Sequence, residues 1–331
     1  MSDLIVPQVN DDQEEAVERS LRPKGLKDII GREVEKQSIS IMIESARKRN
    51  ESIDHILFHG PPGLGKTSFA YVIANELGRP LHVTSGSVIQ KAGDLAAILT
   101  SMEPYSVLFI DEIHRLRRNI EEVLYPAMED GVLDIVIGKG PNARTLRIDL
   151  PPFTMIGATT KLSLISSPLR DRFGMNFRLD FYSDEELTDL VLQKAEMLNI
   201  KIDDDAAVEI AKRARMTARI AIRILKRVRD VSVVDSHDHI DIKSVYKTLE
   251  LLNIDANGLD SMDRAIIKCL MDNFMSRPVG LNTLAASLSE EPETVETVHE
   301  PFLLKKGFIQ RTARGRQVTD KAIKIYSTMQ L

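Results

Sequence analysis

Eight residues constrain this chain more than any others. Gly60-Pro61-Pro62-Gly63-Leu64-Gly65-Lys66-Thr67 follow a short apolar run, Ile56-Leu57-Phe58, and precede a helical pattern over 67–77. A glycine-rich turn between a strand and a helix, closed by Lys-Thr, is a cradle for phosphate. Gly63 and Gly65 let backbone N–H groups wrap phosphate oxygens, and the positive end of the following helix adds to the field. Lys66 can reach the β- and γ-phosphates, Thr67 offers its hydroxyl to Mg²⁺, and Ser68 follows in the first turn. The expected cofactors are ATP and Mg²⁺.

A second motif gives the first its chemistry. Val107-Leu108-Phe109-Ile110 is an apolar strand that ends in Asp111-Glu112. In parallel α/β sheets, ligands lie at the carboxyl ends of strands. Asp111 is placed to hold Mg²⁺, and Glu112 to polarise an attacking water as general base. The bland alternative is two acids capping the next helix. The DEIH run of 111–114 is similar to helicase boxes, and His114 itself reads as a helix-start residue. Phosphoryl transfer needs more positive charge at the γ-phosphate than Lys66 and a metal supply. The candidates are Arg170, Arg172 and Arg219.

Strand and helix patterns alternate from 56 to 157, with further strands at 81–83, 106–110 and 153–157 and helices at 33–50, 95–102 and 120–128. Alternation of this kind predicts a parallel sheet with helices on both faces. The interruption at 132–148 has two β-rich runs around Gly138-Lys139-Gly140-Pro141-Asn142, which reads as a hairpin insertion. It is apolar enough either to be covered by a partner or to lie on its own domain. Residues 183–252 read as all helical, with helices at 184–198, 204–215, 218–233 and 242–252. Residues 259–331 read as three helices and a small hairpin around Arg314-Gly315-Arg316, the pattern of a winged helix. The expected divisions are an acidic mobile leader (1–20), a large ATPase domain (21–182), a small helical domain (183–254) and a winged-helix head (255–331).

Composition excludes several classes. The single cysteine, Cys269, permits no intrachain disulfide and no cysteine cluster for zinc, which fits a reducing compartment. Cys269 falls in an apolar helical pattern and reads as a buried structural residue. No apolar run approaches the roughly 18 residues that span a bilayer, and no secretory signal opens the sequence. The net charge of −5 is uneven: residues 301–331 sum to +6 and the rest of the chain to −11. A basic C-terminal piece is either a solvated surface or an anion site. His237-Asp238-His239 reads as a solvated turn and not a metal pair.

The runs LRPKGLKDIIG (21–31), DHILFHGPPGLGKT (54–67), VLFIDEIHRL (107–116), LYPAMEDGVLDIVIGKGPNARTLRIDLPPFTMIGATT (124–160), SPLRDRFG (167–174) and EPFLLKKGFIQRTARGR (300–316) resemble the AAA+ ATPases and, more closely, the RuvB family of Holliday-junction branch-migration motors. The resemblance covers about residues 20–320. It implies an ATP-hydrolysing DNA translocase that works as a ring, a homo-hexamer, in the bacterial cytoplasm. It assigns Thr160, with Thr159 as the alternative, to the first sensor of the γ-phosphate. Arg172 becomes an arginine finger donated to the neighbouring subunit, and Arg219 the second sensor. The resemblance further implies that Leu21, Arg22 and Tyr182 line the adenine and ribose pocket and that Glu129-Asp130-Gly131 lie near the nucleotide of an adjacent subunit. It implies that the hairpin, 132–149, docks the partner RuvA, with the RuvC resolvase as a further member of the assembly. Arg311, Arg314 and Arg316 become DNA contacts of the wing, Arg311 and Arg316 matching the family's positions more closely.

Three departures stand out. Met216-Thr217-Ala218-Arg219 replaces the family's Gly-Thr-Pro-Arg, which relaxes the turn before Arg219. Ser68 replaces a threonine. Pro292 stands where some members carry a DNA-contacting arginine, and it suits the start of a helix. Two other readings fit the nucleotide motifs: a clamp loader or replication initiator, and a transcription regulator that uses ATP as a switch. The hairpin and SPLRDRFG argue against the first. Specific footprinting on one duplex would mark the second.

Overall fold

The computed structural model describes residues 21–137, 144–235 and 239–326. It divides into two compact units. One holds the chain up to Gly60 together with Gly65–Asp180, and the other holds Pro61–Leu64 together with the chain from Phe181 onward.

The first unit is built on strands β1 (Ile56–His59), β2 (Leu81–Ser85) and β3 (Val107–Asp111), the hairpin strands β4 (Val132–Ile137) and β5 (Arg144–Asp149), then β6 (Thr154–Thr159) and β7 (Met175–Arg178). Five of these form one parallel sheet in the order β2-β3-β6-β1-β7. The apolar stretches of the three central strands are unbroken because they are buried on both faces: Ile56, Leu57, Phe58 and residues 107–110 are fully buried. Helices Glu33–Arg49, Lys66–Leu77, Ala92–Thr100 and Arg118–Glu129 connect or flank them. The sheet brings the carboxyl ends of β1, β3 and β6 side by side, so the phosphate loop, Asp111-Glu112 and Thr159-Thr160 share one end of it.

Strand β7 is absent from the expected pattern. It is an edge strand in which Phe177 alone is buried, so no apolar run announces it. The hairpin forms as expected, in register from Val132 opposite Asp149 to Ile137 opposite Arg144. Its expected turn, 138–142, lies outside the described residues. Leu133 is fully buried in the core beneath the sheet, and Ile135 and Ile148 pack against it. The base of the hairpin therefore lies on its own domain, while Leu146 stays 47% exposed.

The second unit contains helices Asp184–Met197, Asp204–Arg213, Ala218–Val234 and Ile242–Leu251. The all-helical expectation needs one correction. Strands β8 (Lys201–Ile202) and β9 (His239–Ile240) pair in parallel, a ladder too short to leave a periodic signal. His237 and Asp238 lie outside the described residues. Beyond the linker come helices Ser261–Lys268 and Leu281–Ser287. A helical run follows through Pro292–Thr294, Val295–His299 and Glu300–Lys305, and then strands β10 (Ile309–Thr312) and β11 (Gly315–Val318). Pro292 starts its helix, as a residue without an N–H can. Val279 exchanges backbone bonds with Arg316, adding a third member to the wing sheet. That approach needs Gly315, where a Cβ would sit 2.2 Å from the Val279 carbonyl oxygen. Cys269 is buried, as expected.

A network of buried charge ties the helical part to the head. Arg215 is 8% exposed. Its Nη1 donates to Asp260 at 2.5 Å and to Asp263 at 2.6 Å, and its Nη2 donates to the Val298 carbonyl at 3.1 Å. The guanidinium lies over the Phe302 ring, and His299 Nδ1 is 2.7 Å from Asp263. Asp260, Asp263 and His299 have the donor types of a metal site, but the guanidinium already supplies the cation there. Burial pushes the Asp263 carboxyl above its ordinary range, against the pull of His299 and Arg215. The neighbouring Met216 packs on the apolar core of the head.

Candidate nucleotide and nucleic-acid sites

The phosphate loop leaves β1 at Gly60, whose φ of 142° only glycine adopts readily, and a Cβ there would meet the Leu179 carbonyl oxygen at 2.2 Å. Lys66 is buried at the start of its helix and donates to the Gly60 carbonyl at 2.8 Å. Thr67 and Ser68 follow in the first turn, both partly buried. Leu21 is buried, and the Arg22 guanidinium lies 4.3 Å from the centre of the Tyr71 ring.

At the end of β3, Asp111 Oδ1 accepts the Glu112 N–H at 2.9 Å. Glu112 adopts a left-handed backbone with φ 46°, unusual for a side chain of its size and the kind of strain that gathers at functional sites. Its Oε2 accepts from the Thr160 hydroxyl at 3.1 Å and from the Thr160 N–H at 3.4 Å. The same oxygen lies 3.0 Å from His114 Nδ1, which is 2.9 Å from Thr159 Oγ1. Half-burial works against the Glu112 charge, but the hydrogen bond and charge of His114, together with the Thr160 bonds, bring its pKa down to about 2. Of the two first-sensor candidates, Thr160 is the one that touches the acid. Thr159 is fully buried and engages His114 and the Lys161 N–H. His114 lies in the short helical turn Ile113–Arg115, as expected of a helix-start residue. It packs against the acid, a contact between sheet ends that nothing in the linear sequence announces.

Asp111 and Thr67 offer a carboxylate and a hydroxyl, hard oxygen donors of the kind Mg²⁺ takes. The donor set fits that ion.

Arg172 ends the short helix Ser167–Asp171, whose cap is Ser166. It pairs with Glu129 at 3.0 Å and donates to the Pro168 carbonyl at 2.7 Å. Arg170 on the same helix is half-buried, Asp130 is exposed, and Gly131 accepts the Leu150 N–H. In the second unit, the Arg219 N–H donates to the Gly63 carbonyl at 3.3 Å, and the Tyr182 hydroxyl donates to the Leu64 carbonyl at 3.4 Å. Thr217 caps the Arg219 helix, and Arg215 and Met216 both take left-handed backbone. The altered turn thus still delivers Arg219 to Gly63.

In the wing, Arg311 and Arg316 face each other across the ladder, and both bind Glu300, whose side chain is 1% exposed. Burial raises the Glu300 pKa, but the two arginine hydrogen bonds outweigh it and hold the carboxyl below its usual range. Arg316 is 16% exposed and Arg311 52%. Arg314, at the two-residue tip, is exposed. We expect Arg314→Ala to reduce the salt dependence of duplex binding, lowering the slope by about 1. Arg316→Ala should instead cost the head about 1.5–3 kcal/mol of stability through its lost bonds to Glu300. Salt-titrated duplex binding and thermal melts separate the two effects.

A phosphate loop, an acid pair at a strand end, a helical lid and a winged helix define an AAA+ P-loop ATPase with a winged-helix head. Residues 21–179 match the Holliday junction DNA helicase RuvB P-loop domain, 182–255 the RuvB AAA lid domain, and 256–327 the RuvB C-terminal winged helix domain. The chain belongs to the RuvB family. The Holliday junction branch migration complex subunit RuvB of Clostridium kluyveri is 53% identical over 327 residues, covering 99% of this chain and 93% of its own. The Fusobacterium nucleatum subunit of the same name is 50% identical over 99% of this chain and 98% of its own. The solved Thermotoga maritima RuvB Holliday junction branch migration motor is 50% identical, with a TM-score of 0.85 over 93% of this chain and 98% of that one. The clamp-loader and transcription-switch readings give way to this membership. Among the described residues, no helix is long and apolar enough to cross a membrane.

Proposed function

We propose that this chain is an ATP-driven motor that moves Holliday junctions, acting as a hexameric ring with RuvA in the bacterial cytoplasm. The observation that carries the reading is the Glu112 carboxylate held by Thr160 at the sheet end where the phosphate loop opens. ATP phosphates lie in the loop over Gly63 and Gly65, with Lys66 on the β- and γ-phosphates and Ser68 in the first turn. Leu21, Arg22 and Tyr182 receive the base and ribose. Thr67 and Asp111 would hold Mg²⁺, which would supply positive charge against the phosphates. Glu112 orients the attacking water. A carboxylate whose pKa is about 2 accepts that water's hydrogen bond early and its proton late. Thr160 fixes the acid, Arg172 completes the neighbour's site beside Glu129-Asp130-Gly131, and Arg219 couples the γ-phosphate to the lid. Divisions at 182/183 and 254/255 separate sheet domain, lid and head in this reading.

The exposed Leu146 on a hairpin whose base is buried supports RuvA docking over residues 132–149. RuvC is a further member of the assembly. The wing arginines Arg311, Arg314 and Arg316 suit phosphate contacts, which give affinity without sequence preference. The test is ATP turnover and strand separation on a synthetic four-way junction, with and without RuvA. Both should rise when junction and RuvA are present together. Hydrolysis with an intact junction under those conditions would overturn the motor reading.

A further inference from the structure

Tyr125 and Glu129 sit four residues apart on helix Arg118–Glu129, and therefore on one face of it. Both meet Arg172. The guanidinium carbon stands 4.4 Å from the centre of the Tyr125 ring, and Nη2 pairs with Glu129 Oε2 at 3.0 Å. On its far side, Nη1 donates to the Pro168 carbonyl at 2.7 Å. Arg172 Nε is buried without a hydrogen-bond partner. The Tyr125 hydroxyl lies 3.1 Å from Ser166 Oγ, and that oxygen caps the helix carrying Arg172 by accepting the Leu169 N–H. One tyrosine therefore holds both the plane of the guanidinium and the start of the helix behind it.

An unrestrained arginine samples many rotamers, and ordering it at the moment of reaction costs rate. Here the side chain is already ordered, 21% exposed, and its acidic partner is 54% exposed. An ion pair that open to water is weak enough to be exchanged for a phosphate. We propose that Tyr125 and Glu129 are positioning residues that preset the Arg172 guanidinium for the neighbouring subunit's γ-phosphate. The proposal rests on reading Arg172 as the arginine finger. Neither residue touches the nucleotide of its own subunit in this scheme. Their effect belongs to the subunit that donates the finger and not to the subunit that hydrolyses.

The experiment uses full-length protein with RuvA and junction DNA. Tyr125→Ala should lower kcat roughly tenfold, the scale of one lost long-side-chain ordering, with KM for ATP unchanged. Glu129→Gln should lower it several-fold, and Tyr125→Phe, which keeps the ring, should restore most of the rate. In an Arg172→Ala background, Tyr125→Ala should add no further loss. Mixed rings locate the defect. Lys66→Ala subunits, with an intact finger, should restore hydrolysis to Arg172→Ala subunits, and Lys66→Ala/Tyr125→Ala subunits should do so about tenfold less well. A role confined to folding would lower the melting temperature without this donor-side asymmetry. If Tyr125→Ala and Glu129→Gln turn over within twofold of the parent while Arg172→Ala is inactive, the proposal is wrong. If Arg172→Ala itself hydrolyses ATP normally, the finger reading falls and the proposal with it.

Discussion

Arg172→Ala should bind ATP as the parent does and hydrolyse it about 10³–10⁵-fold more slowly, the range over which supplied arginines act in phosphoryl transfer. The separation of binding from hydrolysis follows from placement. Lys66 opens the helix that follows the phosphate loop, whereas Arg172 ends a different helix and is held by Glu129 and the Pro168 carbonyl. Among the described residues, the side-chain hydrogen bonds of Arg172 go to Pro168 and Glu129 and not to the loop, so its loss should leave affinity alone. Under the proposed function, what it removes is charge at a transition state formed in the next subunit. Equilibrium binding of a fluorescent nucleotide and single-turnover hydrolysis, measured on the same preparation, check both halves. A variant that loses binding in step with hydrolysis would place Arg172 in the binding loop of its own site.

Glu112→Gln should retain ATP and lose about 10²–10⁴-fold in turnover, the usual contribution of a positioned proton acceptor. Glutamine keeps an oxygen for the Thr160 hydroxyl and N–H, so the strand ends stay joined. It cannot take a proton. The pH dependence has a definite sign. The Glu112 pKa lies at about 2, below the ordinary glutamate value of 4.5, so the carboxylate is fully ionised at neutral pH. Its contribution to folding is complete above about pH 4.5 and fades as pH falls through about 2. An acid limb in the kcat/KM profile between pH 5 and 7, which reports the free enzyme, therefore belongs to another group, and that limb should persist in the residual activity of Glu112→Gln. Disappearance of the limb in this variant would show that Glu112 titrates there and that its hydrogen bonds are not those described.

Local patterns carried most of the nucleotide site. The phosphate loop is contiguous, and its strand-turn-helix context can be read within twenty residues. Asp111 and Glu112 are adjacent, and the apolar strand before them fixes which end they occupy. Contacts made across the sheet were not legible. His114 meets Thr159 over 45 positions, and Arg172 meets Glu129 over 43, so neither partner could be chosen from the order of residues. Strand β7 leaves no apolar signature because this edge strand buries only Phe177. The wing shows a subtler gap. Arginine at 311 and 316 reads as exposed positive charge, and only the fold brings the buried Glu300 between them.

The joint at Arg215 has a mechanical meaning. A hinge made of apolar contacts can slide, because one greasy surface replaces another at little cost. A joint made of a guanidinium between two carboxylates, with a carbonyl and an aromatic face closing the remaining sides, has no such soft direction. Pulling a buried pair apart costs about 3–5 kcal/mol, several times the thermal energy. Only three residues separate Arg215 from Arg219, whose N–H donates to the Gly63 carbonyl. Within the second unit, lid and head are therefore joined as one stiff piece, and a force on either is felt by both without slack.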